Sequence, residues 1–119
     1  MKKKLTLEER IKEVERCLDE ILEHSIIKHA FPEIDLYRGL IEDKAKNIAD
    51  CYLRKEQHSR ITASTLAGAS VYLAFRRLYE DGKIPKKIAQ ADAADAAGRN
   101  ETNVRLAIKR ILRSVGYPP

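Results

Sequence analysis

The stretch Ile61–Phe75, ITASTLAGASVYLAF, decides the fold, because it holds no charged residue in a chain of which 34% is charged. As a helix it is roughly 22 Å long at about 1.5 Å per residue. Its polar members are Thr62, Ser64, Thr65, Ser70 and Tyr72. Hydroxyls of this kind can return a hydrogen bond to the helix backbone, so burial on all sides is tolerable. Ala63, Ala67, Gly68, Ala69 and Ala74 are small enough for neighbouring helices to come close. The stretch therefore reads as a central buried helix that others must wrap. A membrane span needs about 20 residues, and this run is shorter and bounded by Arg60 and Arg76.

The flanking sequence supplies the wrapping helices. Residues 7–24 place Ile11, Val14, Leu18, Ile21 and Leu22 on one apolar stripe, with Thr6 and Glu9 spaced as a capping box. Ile26, Ile27, Ala30 and Phe31 extend that surface toward Pro32, which breaks or turns the chain. A second helix is expected over 35–57, with Ile41, Ala45, Ile48, Ala49 and Tyr52 inward and Leu36, Leu40 and Leu53 beside them. The central helix continues to Tyr79 and ends at Asp81 and Gly82. Lys86–Ala97, KKIAQADAADAA, has high helix propensity and little bulk apart from Ile88. Gly98 suits its end, and Asn100 can cap a last helix from Glu101 to about Ser114. Val104, Ala107, Ile108, Ile111 and Leu112 form the inner face of that helix, and Gly116, Pro118 and Pro119 stop it. The expectation is one all-α domain over 1–119, with five main helices.

Two cysteines make no disulfide framework, and Cys17 and Cys51 read as small buried hydrophobes. The N-terminal MKKK reads as a native start, and no apolar signal segment follows it, so the cytosol is the expected compartment, at the nucleoid in a prokaryote. The net charge of +5 is unevenly spread. Residues 1–58 hold 12 Lys or Arg against 13 Asp or Glu, and residues 59–119 hold 11 against 5. A positive C-terminal half suggests a polyanion partner, though a solvated basic face that keeps the chain in solution explains the charge equally well.

The candidate site lies where that charge gathers. A helix ending at Gly98, a turn and a helix from Glu101 make a helix-turn-helix. Arg105, Lys109, Arg110 and Arg113 fall on or beside the outer face of the second helix, with Arg99, Asn100, Thr102 and Asn103 at its start. In such a unit the N-terminal residues reach base edges and the longer cations hold phosphates. An ordinary helical hairpin with a wet basic face is the alternative. No metal site is expected, since Cys17 and His24 stand seven residues apart, about 10 Å along a helix. Nor is an enzyme: Glu8, Glu9, Glu13, Glu15, Asp19, Glu20 and Glu23 read as the wet face of the first helix, and no nucleophile with a base can be assembled. No cofactor is implied.

The segments RITASTLAGASVYLAFRRL and GRNETNVRLAIKRIL, separated by a loop and an Ala-rich helix, resemble the cyclin-box repeat of transcription factor IIB and its archaeal counterpart, transcription factor B. The likeness covers residues 34–116, with residues 1–33 as N-terminal helix and connection. Gly98, Asn100, Glu101, Asn103, Val104 and Arg105 match the family's last-helix pattern. The resemblance implies a five-helix bundle around its third helix, ending in a helix-turn-helix that reads promoter DNA beside the TATA box, with TATA-binding protein as a further partner. Arg105 matches the family's base-reading arginine, Thr102 stands where a contacting valine is usual, and Arg99 replaces an apolar turn residue. The family's zinc ribbon and second repeat have no counterpart, which implies a single-repeat regulator or a fragment of a longer factor. A cyclin-like adaptor that binds proteins and not DNA is the alternative function.

Overall fold

In the computed structural model, which describes residues 5–116, the charge-free stretch is the centre of six helices. They are α1 (Leu7–Glu23), α2 (Ser25–Ala30), α3 (Ile34–Lys55), α4 (Ala63–Glu80), α5 (Gln90–Ala97) and α6 (Glu101–Val115). MKKK and the expected stops Pro118 and Pro119 lie outside the described residues. No strand occurs among the described residues, and none of their helices is long and apolar enough to cross a membrane. The buried apolar side chains form one continuous core.

The helix α4 packs against α1, α3, α5 and α6 at once. From Thr65 to Val71 every residue is buried, as are Leu73, Ala74, Phe75 and Leu78. Close approach is most acute at Gly68, where an added Cβ would lie 3.1 Å from the Ala97 Cβ and 3.6 Å from the Val104 Cγ2. Thr62 is the cap of α4 and not part of it, its side chain accepting from the Thr65 amide. Ser70 departs from the sequence reading: its buried hydroxyl has no hydrogen-bond partner among the described residues.

The sixth helix arises at His24. An extended backbone there (φ −67°, ψ 140°) ends α1, and the ring Nδ1 accepts the Ile26 amide at 3.1 Å to start α2. This turn carries Ile27 and Phe31 into the core, where the Phe31 ring meets that of Phe75 edge-on at 5.1 Å. The helix α5 begins at Gln90, not Lys86. The preceding segment is not helical, Ile84 and Ile88 in it are both buried, and Asp92 accepts from the Ala89 amide.

Two further expectations are corrected. Leu36 is 80% exposed and Leu40 is exposed as well, because Ile34, Ile41 and Ala45 define the inward face of α3. Cys51 is exposed beside inward Tyr52, while Cys17 is buried. The capping box of α1 forms as spaced, with the Thr6 hydroxyl accepting from the Glu9 amide and the Glu9 carboxylate accepting from the Thr6 amide.

Candidate nucleic-acid interface

The turn between α5 and α6 is fixed by local chemistry. Gly98 adopts a left-handed conformation (φ +67°), which a side chain disfavours. Its amide bonds the Asp95 carbonyl at 3.0 Å and the next amide, of Arg99, bonds the Ala94 carbonyl at 2.9 Å. This pair of bonds is a Schellman termination, which satisfies carbonyls at the end of α5. Asn100 then opens α6, its Oδ1 accepting the Thr102 amide at 2.7 Å. Two helices are thus joined by the three residues Gly98, Arg99 and Asn100.

Val104, Ala107, Ile108 and Ile111 bury one face of α6. At about 100° per residue the opposite, outward line is Thr102, Leu106, Lys109 and Arg113. Arg105 lies on one flank of that line with Lys109 a turn beyond it, whereas Asn103 and Arg110 lie on the other flank. All eight residues expected at the site, from Arg99 to Arg113, are exposed. They do not form one cluster, however: Arg105 and Arg110 point about 140° apart around the helix.

The structure gathers Arg99, Asn103 and Arg110 with a residue that the sequence marked only as a boundary, Arg60. These four, with Ile61, Thr62, Thr65, Leu106 and Ala107, line a groove of about 230 Å³ between the start of α4 and α6. No acidic residue lines it. Arg99 is held in place, its Nε donating to the Ser64 hydroxyl at 2.6 Å. Arg60 is placed by its loop, whose Gln57 and Ser59 carbonyls accept from the Arg10 guanidinium at 3.1 and 2.9 Å. The Tyr52 hydroxyl bonds that of Ser59 at 2.9 Å, a second tether. Further along α6, Arg110 and Arg113 border a recess with Lys55 and Glu56.

Carboxylates concentrate elsewhere, between α1 and α3. A hydrogen bond shared with Asp19, together with burial, raises the Glu42 pKa, and Lys46 beside it offsets part of that rise. Burial, with the Glu15 charge, raises the Asp50 pKa as well. Carboxylates here pair with Arg16, Arg38 and Lys46 on the same two helices. Among the described residues no three His, Cys, Asp or Glu side chains group as a metal site would require.

Fold and surface together define an all-α protein that ends in two helices around a tight turn and presents a basic, acid-free groove beside the second. No protein-family model, curated protein or solved structure matches the chain.

Proposed function

We propose that the chain is a single-repeat protein similar to transcription factor IIB, which binds promoter DNA through α6 and contacts TATA-binding protein. The observation that carries the DNA reading is the pair of cationic flanks on α6: Arg105 and Lys109 on one side, and Arg110 joined by Arg99 and Arg60 on the other. A helix seated in the major groove runs between two phosphate strands, and cations on both flanks match them. Arg113 continues the row toward the C-terminal end of the helix. Six such cations meeting six phosphates lower affinity by about 10³ between roughly 50 and 200 mM salt.

The test is fluorescence anisotropy with a TATA-containing duplex and a scrambled one, at both salts, with and without TATA-binding protein. Preference for the promoter that persists at the higher salt supports the reading. Arg105→Ala with Lys109→Ala should weaken binding about tenfold or more. Unchanged affinity in that double variant would refute the assignment of this face. A second reading, a protein-binding adaptor that does not touch DNA, is favoured by Leu36 and Leu40, exposed one turn apart on α3. It requires a nuclease-resistant complex with TATA-binding protein that Leu36→Glu with Leu40→Glu abolishes, and no shift of duplex DNA.

A further inference from the structure

The outward line of α6 carries cations at Lys109 and Arg113 but none at Thr102 and Leu106, nearer the start of the helix. Leu106 is 48% exposed on the outward line of α6, although Val104, Ala107, Ile108 and Ile111 already supply the inner face. A half-exposed leucine alone needs no explanation. Its setting does: Arg105 is its chain neighbour on one flank, while Asn103, Arg99, Arg110 and Arg60 share its groove on the other. Taking the DNA reading above as its basis, we infer that Leu106 is a specificity residue that reads thymine through its 5-methyl group.

Three observations converge on that ligand. On the DNA reading, charge complementarity matches the face to a polyanion with phosphates on both sides, which is a duplex. Within it, the cations of the two flanks, with Lys109 and Arg113 further along, face the backbones, and Thr102 and Leu106 on the first half of the outward line face the bases. Leu106 is the sixth residue of α6, one turn beyond Thr102 and about 6 Å along the axis, still in the half of the helix that reaches base edges. Lastly, leucine offers neither donor nor acceptor. In the major groove the thymine methyl is the apolar feature among base edges that are otherwise donors and acceptors. The methyl group of Thr102, also exposed on this line, extends the apolar strip toward the start of the helix.

The experiment compares thymine with uracil, which lacks only that methyl. The full chain selects duplexes of about 20 base pairs, close to two helical turns, from a random pool at moderate salt. The best duplex is then made with each thymine replaced singly by uracil. Burying one methyl corresponds to about fourfold in affinity. The inference expects that loss at one or two positions, and it expects Leu106→Ala, verified as helical by circular dichroism, to bind the thymine and uracil duplexes equally. Binding that is indifferent to every thymine-to-uracil change overturns it, and so does a Leu106→Ala chain that keeps the difference; both outcomes leave the DNA reading standing. Failure to enrich any duplex removes the DNA reading itself, and this inference with it.

Discussion

Gly68→Ala tests the packing that places the C-terminal helices on α4. In an exposed helix the change would stabilise by about 1 kcal/mol through backbone entropy. Here the new Cβ lies 3.1 Å from the Ala97 Cβ, tighter than ordinary van der Waals contact, and 3.5 Å from the Ala93 carbonyl oxygen, an ordinary contact. Overpacking of this kind costs about 1–3 kcal/mol. The low end applies, because Ala97 is the last residue of an eight-residue helix and can give way. The two effects then cancel to within about 1 kcal/mol, so the single variant is not diagnostic. A double-mutant cycle is. Ala97→Gly alone costs up to about 1 kcal/mol of helix propensity. In the Gly68→Ala background it also removes the clash, which gives a coupling of about 1 kcal/mol by urea denaturation. Additivity within about 0.3–0.5 kcal/mol, or a Gly68→Ala chain stabilised by its full propensity gain, would refute the close approach.

Two other perturbations address the site's supports. Asn100→Ala removes the acceptor of the Thr102 amide and should cost about 1 kcal/mol in urea denaturation, whereas Asn100→Asp keeps the cap and the stability; equal losses in both would place the role of Asn100 elsewhere. Asp50→Asn should stabilise at neutral pH. Burial and the Glu15 charge raise the Asp50 pKa in the folded chain, so the native state holds that proton more tightly than the unfolded state does. Its contribution favours folding in acid and is lost as pH rises through the folded value. The melting temperature of the variant should therefore exceed that of the parent near pH 7, and the gap should close as the pH falls into the ordinary carboxylate range. A gap independent of pH would contradict this.

The centre of the fold was legible because it depends on composition: a run without charge and rich in alanine and glycine can only be accommodated inside. Caps were legible for a different reason. The pairing of Thr6 with Glu9, the Gly98 termination and the Asn100 cap on Thr102 are local chemistry, complete within a few residues. What escaped depends on contacts that no short window contains. His24 caps α2 with a ring nitrogen, an acceptor outside the usual cap residues, so α2 read as a tail of α1. Leu36 and Leu40 share the helical spacing of the α3 core residues, and only the docking of Ile34 and Ile41 shows that they face outward. Helix propensity from Lys86 to Ala89 lost to the burial of Ile84 and Ile88 on a non-helical segment.

The same distinction governs the site. The turn and the cations of α6 are contiguous in sequence, and the sequence identified them as a group. Their division into two flanks follows from the register in which α6 docks, and the recruitment of Arg60 follows from a tether that begins at Arg10 in the first helix. Gly68 connects these levels. The space left by its missing side chain admits Ala97 against α4. One residue past the glycine that follows, Arg99 can then reach Ser64, a turn before Gly68, and stand beside Arg60 at the head of the groove. The small residues that let α4 be buried therefore also set the spacing of the exposed cations. If the proposed DNA reading holds, a substitution in the core at Gly68 should be felt in DNA affinity before it is felt in helix content.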